Sequence, residues 1–411
     1  MMTSAVEISD SRRTIRLPIE EGVIAFRSLS PQRHRFELEY ALERGSTANS
    51  VLFEAGDDAP AILVHPPGAA YRDAFLPALA EALPPSDAPL LVVVGHINPN
   101  RVALLRDLGE TYAGLELIVS NAGAKLIDEL WNQRRPAPPG EEVEQPPLPP
   151  RPPLRVARRE EALALAQDRS LLLLPAPTPR WPGGLLAFEE SLGLLMSGKF
   201  FSAHLCTETW AEANRSSTEV ERRHFYDSLM APMARKVELL IERLEELDIR
   251  TIAPAHGPAI DTSWRSLLND YRRWGESQHQ SNLTVLLLFA SAYGNTAAIA
   301  DALGRGVTRT TIRVNCLNCE FTPADELISA IQSADGVLIG SPTLGGHARL
   351  RWCQPWERCW RRETATSRSG FSAATAGAVR PLICWKQNCA TAASGSDSIR
   401  SESSSAPTAP R

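Results

Sequence analysis

The sequence predicts an α/β protein of two layered units, followed by a stretch of different character. Three observations predict it. Short runs rich in Val, Ile and Leu alternate with helical patterns up to about residue 270. One strongly amphipathic helix closes that region. A second strand–loop–helix unit then begins at Leu283. A chain of 411 residues has room for two or three domains. Its net charge of −5 argues against nucleic-acid binding. Its apolar runs fall short of the roughly 18 residues needed to span a bilayer. The N-terminus has no apolar signal core, and the seven cysteines show no regular pairing. Reduced thiols and a cytoplasmic protein are the expectation.

The elements follow in order. Residues 1–13 read as a flexible N-terminus. Within 14–270, Ser50 to Glu54, Ala61 to His65, Leu90 to Gly95 and Leu115 to Ser120 read as strands. Ala74 to Leu83 and Val102 to Leu108 read as helices between them. Nine prolines in 136–153 mark a solvated, partly polyproline insertion. Leu171 to Leu174 resumes the strands. Met233, Val237, Leu240, Ile241, Leu244 and Leu247 then fall on one helical face, opposite Arg and Glu. Residues 271–282 read as a polar connector. In 283–347 a strand (Leu283 to Phe289), a helix (Thr296 to Leu303) and a second strand (Gly336 to Ile339) make the second unit.

Two loops of the second unit carry chemistry. Ser291-Ala292-Tyr293-Gly294-Asn295-Thr296 stands between a strand and a helix. Amides at a helix N-terminus bind phosphate, hydroxyls add donors, and glycine lets the backbone approach. The loop lacks the lysine of a triphosphate loop and the G-x-G-x-x-G spacing of dinucleotide folds, so it suits a monophosphate such as that of FMN. Ser341-Pro342-Thr343-Leu344-Gly345-Gly346-His347 follows the second strand, where such sheets hold ligands. Alone, the first loop also reads as a capped turn; the pair points to a ligand. Together they resemble a flavodoxin domain. The resemblance implies that Ser291, Tyr293, Gly294, Asn295 and Thr296 hold the FMN phosphate. Ser341, Pro342, Thr343, Leu344, Gly345 and Gly346 would flank the flavin ring.

The first unit carries Gly95-His96-Ile97-Asn98-Pro99-Asn100-Arg101, Pro179-Arg180-Trp181-Pro182, Leu195-Met196-Ser197-Gly198-Lys199-Phe200-Phe201 and Ala255-His256-Gly257-Pro258. These stretches resemble the metallo-β-lactamase-like half of flavodiiron proteins, closest to the cyanobacterial diflavin type. The resemblance implies an αββα sandwich followed by a truncated flavodoxin-like, doubly wound domain. It implies electron transfer from NAD(P)H or a reductase, through FMN, to oxygen at a diiron centre, giving water. Homo- or heterodimers with another flavodiiron protein belong to the same expectation.

Against the implied ligand pattern, His96 and His256 are kept. Asn98 stands for a glutamate, Asn100 for an aspartate, Arg101 and Arg180 for histidines, and Gly198 for a bridging aspartate. Iron takes imidazole and carboxylate, whereas an asparagine amide is a weak ligand and a guanidinium cannot ligate. The expectation is a degenerate site without diiron, in which Arg101 and Arg180 occupy the space of the metals. Impaired oxygen reduction, a non-catalytic partner subunit and a metallo-β-lactamase-like hydrolase remain open readings. His34, His65, His204, His224 and His279 have no ligand-like company and read as core or surface. Cys316-x-x-Cys319 reads as an incidental pair.

Residues 348–411 differ from the rest, with ten Lys and Arg against four Asp and Glu, and four of the seven cysteines. Shifting the frame by one nucleotide over Gln354 to Ala373, with permitted codons, allows A-L-G-T-V-L-A-E-G-D-R-D-K-P-V-G-V-F-G-S. Continued from Thr375 to Lys386 it allows Y-G-W-S-G-E-A-V-D-L-L-E, like the third flavin loop that the resemblance implies. The stretch therefore reads as an out-of-frame, disordered tail.

Overall fold

The computed structural model describes residues 12–31, 35–36, 40–41, 44–57, 59–133, 147–279, 283–291, 295–309, 312–344, 347–348, 370–373 and 379–385. The first half has four layers. Strands β1 (Arg13–Glu20), β2 (Val23–Ser30), β3 (Ser46–Phe53), β4 (Ala61–Val64), β5 (Leu90–Val93), β6 (Leu115–Ser120) and β7 (Leu154–Ala157) form one sheet in chain order. Pairing is antiparallel as far as β4 and parallel from β4 to β7. A second sheet runs β8 (Glu161–Ala164), β9 (Ser170–Pro175), β10 (Leu185–Glu189), β11 (Leu194–Gly198), β12 (Thr251–Pro254).

The two sheets bury a common core. Val51, Phe53, Ile62, Val64 and Ile118 of the first meet Leu171, Leu173, Leu185 and Met196 of the second. Helices α1 (Arg72–Ala82), α2 (Pro99–Thr111) and α3 (Asn121–Trp131) cover the outer face of the first sheet. After α4 (Glu219–Phe225), helices α5 (Ala234–Leu244) and α6 (Trp264–His279) cover the second. This is the αββα sandwich expected. On α5 the buried residues are Ala234, Val237, Ile241 and Leu244. That is the stripe read from the sequence, because a 3.6-residue period leaves one face to meet the sheet.

The second half is a doubly wound sheet. Strands β13 (Thr284–Phe289), β14 (Arg313–Asn318) and β15 (Gly336–Leu344) are mutually parallel, with β13 in the middle. Helix α7 (Asn295–Arg309) packs Ala297 and Ala300 against Leu287 and Phe289. Helix α8 (Ala324–Ser333) packs Leu327 and Ile331 against Leu286 and Leu288 on the other face. The chain leaves β13 to one side for β14 and then crosses to the other for β15. That makes the carboxyl end of β13 a topological switch point, where such sheets bind ligands.

Four expectations need correction. Residues 271–279 are the end of α6, not a connector, and Tyr271 and Trp274 are buried in the first half's core. The end of the proline-rich insertion is packed: Trp131 Nε1 donates to the Pro149 carbonyl and Leu117 N to that of Pro153, 2.9 Å each. Arg13, placed in the flexible terminus, begins β1. The tail contributes β16 (Gly370–Ala373) and β17 (Val379–Trp385). Strand β17 pairs antiparallel with β15 from Gly336↔Trp385 to Pro342↔Val379. An apolar run such as Val-Arg-Pro-Leu-Ile-Cys-Trp meets the open edge of β15, and an open edge accepts any strand that fits. The rest of 348–411, like 1–11 and 134–146, lies outside the described residues. No helix among the described residues is long and apolar enough to cross a membrane.

Candidate metal pocket and flavin loops

Strand β5 leads to Gly95 and His96, and α2 starts at Pro99. A proline at the first helical position has the right φ and no N–H to lose. Asn98 is the cap: its Oδ1 accepts from Arg101 N at 2.7 Å. Its other end is therefore the amide NH2, which can only donate. That group lies 3.2 Å from His96 Nε2, so Nε2 accepts. Asn98, expected to mark a lost carboxylate ligand, is a helix cap that also takes the ring nitrogen of the first retained histidine.

The second retained histidine is engaged in the same way. His256 is buried after β12, with Nδ1 2.9 Å from the Thr47 carbonyl of β3. A carbonyl only accepts, so Nδ1 carries the proton and Nε2 the lone pair. Lys199 Nζ lies 2.9 Å from that Nε2 and donates to it. Lys199 is 3% exposed and His256 1%.

The side chain that reaches His256 from the Ser197-Gly198-Lys199 turn is thus Lys199, not that of residue 198. Gly198 has φ +58, a left-handed turn that suits glycine. A Cβ built there would point at His65, 3.7 Å from Cε1. His65 belongs to the pocket as well. Its Nε2 donates to the Leu185 carbonyl at 2.8 Å. A Cβ on Gly95 would come within 2.3 Å of that same nitrogen. Burial, with a smaller push from the Arg101 charge, drives the His65 pKa down to about 4. His204 stacks on His256 with ring centroids 4.5 Å apart, its Nδ1 2.9 Å from Ser46 Oγ. The sequence reading missed Lys199, His65 and His204 as pocket residues. The one signal was a lysine inside the apolar run Leu-Leu-Met-Ser-Gly-Lys-Phe-Phe.

Arg101 is buried and its charge bears on His65. Asn100 is half-buried on α2. Arg180 turns elsewhere: its guanidinium pairs with Asp301 of α7 and stacks over the Trp181 ring at 5.4 Å. Trp181 in turn meets His96 edge-on at 6.3 Å. The residues present do not suit a diiron centre. Both retained imidazoles have their Nε2 lone pairs taken by donors of the chain. Among the described residues no three His, Cys, Asp or Glu side chains gather as a metal set.

In the second half, Ser291 follows β13 and its Oγ accepts from Ala297 N at 3.2 Å, closing the first turn of α7. Asn295 opens α7. Thr296 is buried, and a Cβ on Gly340 would lie 3.0 Å from its Cγ2, so helix and strand approach closely. Tyr293, Gly294, Gly345 and Gly346 lie outside the described residues. Ser341, Pro342, Thr343 and Leu344 continue β15 rather than forming a loop, and His347–Ala348 pairs back on Thr343 and Leu344. Helix α7 thus starts at the switch point, its first turn closed by Ser291. Cys316 and Cys319 are free thiols, each pushed up to about 12 chiefly by burial.

Comparison with known proteins agrees with this architecture. Residues 47–257 match the family model described as ODP family beta lactamase. The chain is 37% identical over 332 residues to diflavin flavoprotein A 6 of Nostoc sp. (strain PCC 7120), covering 81% of this chain and 55% of that protein. It is 36% identical over 322 residues to diflavin flavoprotein A 4 of Synechocystis sp. (strain PCC 6803), covering 78% and 50%. It spans about half the length of these curated relatives. Among solved structures, the metal-soaked Flv1 flavodiiron core from Synechocystis sp. PCC6803 aligns with a TM-score of 0.75 at 32% identity, over 87% of this chain and 83% of that one. A fragment, residues 1–254, of diflavin flavoprotein A 5 from Nostoc sp. PCC 7120 aligns with a TM-score of 0.57 at 30% identity, over 65% and 98%.

Proposed function

The chain belongs to the flavodiiron proteins, in the branch of the diflavin flavoproteins, and from that premise we propose that it is a flavin-dependent electron-transfer subunit without an oxygen-reducing metal centre of its own. The observation that carries this reading is the double capping of the pocket, His96 Nε2 by Asn98 and His256 Nε2 by Lys199. A metal would have to displace both donors and would then find no carboxylate set among the described residues. A metallo-β-lactamase-like hydrolase needs the same ligands, so the capping counts against that reading too.

FMN, when bound, supplies one- and two-electron redox chemistry. Ser291, Tyr293, Gly294, Asn295 and Thr296 would hold its phosphate at the amides of α7's first turn. Ser341 to Gly346 would lie beside its ring. Electrons would arrive from NAD(P)H or a reductase. Oxygen would be reduced to water by a second flavodiiron protein with an intact centre, in a heterodimer, while a homodimer of this chain alone would be inactive. The test is oxygen uptake driven by NAD(P)H. The purified chain with a reductase should show none, and adding it to an intact-site flavodiiron protein should raise uptake above that protein's own rate. Uptake by the chain alone would sink the proposal, and so would a mixture no faster than the intact protein.

A further inference from the structure

Arg180 stands where the family resemblance implies a metal-binding histidine, yet its guanidinium reaches across to the second half and pairs with Asp301. The two side chains are 12% and 14% exposed. Asp301 lies on α7. One turn along the same face is Gly304, where a Cβ would sit 3.3 Å from Cγ of Pro232, in the first half. A second ion pair, Lys236 Nζ to Glu326 at 3.0 Å, joins α5 to α8. The Arg180 charge also bears on the buried Cys316 thiol of β14. Independent contacts thus place one face of α7 and the neighbouring strand against the first half.

We infer that Arg180 and Asp301 form the docking contact that holds α7 against the first half, so that a position implied to bind metal now positions the second half instead. Exposed ion pairs contribute little, because water and salt screen them. This pair is largely desolvated. Removing one partner strands the other's charge, while exchanging the two charges keeps the attraction. Close approach at Gly304 makes the contact steric as well as ionic. The inference does not depend on what the N-terminus of α7 binds.

Hydrogen–deuterium exchange on the full chain, read by mass spectrometry, tests it. Arg180→Gln and Asp301→Asn should each make α7 amides exchange about tenfold faster, with peptides from β3 unchanged. The exchanged pair, Arg180→Asp with Asp301→Arg, should recover most of the protection. Gly304→Leu should accelerate α7 by wedging it off Pro232. Wild-type exchange of α7 in the two single variants would overturn the inference. So would an exchanged pair no better protected than the singles. Loss of protection in β3 in either single variant would also overturn it, since the pair would then serve the first half's core rather than docking.

Discussion

Lys199 Nζ lies 2.9 Å from Nε2 of His256, and neither side chain reaches solvent to any extent. The lysine takes the lone pair that a metal would need. Reconstituted with iron and desalted, the chain should therefore hold far less than one iron per molecule by elemental analysis. Restoring ligands should reverse this only if the lysine is replaced. The set Asn98→Glu, Asn100→Asp, Arg101→His, Arg180→His with Lys199→Asp should bind iron. The same set with Gly198→Asp in place of Lys199→Asp should not, because residue 198 points at His65 and Lys199 still caps His256. Iron in the second set and none in the first would refute the assignment.

Asn98 starts α2 as well as capping His96. Asn98→Ala should lower stability by about 1 kcal/mol, the usual cost of a lost N-cap. Asn98→Asp keeps the capping oxygen and should cost much less. Urea unfolding followed by circular dichroism separates them; equal losses in both variants would show that the cap is not what matters at this position.

His65 is held neutral by burial, with its pKa down from 6.5 to about 4. The folded value lies below the unfolded one, so folding favours the neutral ring. Its contribution is complete above about pH 6.5 and drains away as the pH falls towards 4. Its full size is roughly 3 kcal/mol. His65→Gln keeps a donor for the Leu185 carbonyl and should flatten the loss of stability over that window. A variant whose stability falls with acid as steeply as the wild type would disprove this origin.

Strand β17 covers the edge of β15 through seven paired positions, from Gly336↔Trp385 to Pro342↔Val379. Deleting residues 349–411 would bare that edge. The shortened protein should associate, giving a concentration-dependent rise in mass by light scattering. A deletion variant with the full chain's oligomeric state at every concentration would show that β17 protects nothing.

Much of the fold was open to sequence reading because it is periodic. The α5 stripe and the strands at Ala61, Leu90 and Leu115 appear where apolar spacing places them. The retained His96 and His256 were legible because each sits in a short motif. The identity of the second cap was not. Whether residue 198 or 199 reaches into the pocket depends on a left-handed φ at Gly198, which residue type permits but does not announce. His65 and His204 come from segments far apart in sequence, so no spacing links them to His256. The end of α6 was hidden by its polar face: Tyr271 and Trp274 are the buried minority among Arg, Gln and Glu. In the tail, poor composition concealed a seven-residue run apolar enough to complete a sheet.

A bound metal is an equilibrium partner. It stabilises a fold by an amount that grows with the logarithm of its supply, and below saturation it divides a population into loaded and empty molecules. The donor at His256 is instead a covalent part of the chain, present at the same stoichiometry in every molecule. Folding of this pocket should accordingly ignore chelators and iron scarcity. A chain built this way should keep the same pocket wall whether iron is plentiful or scarce.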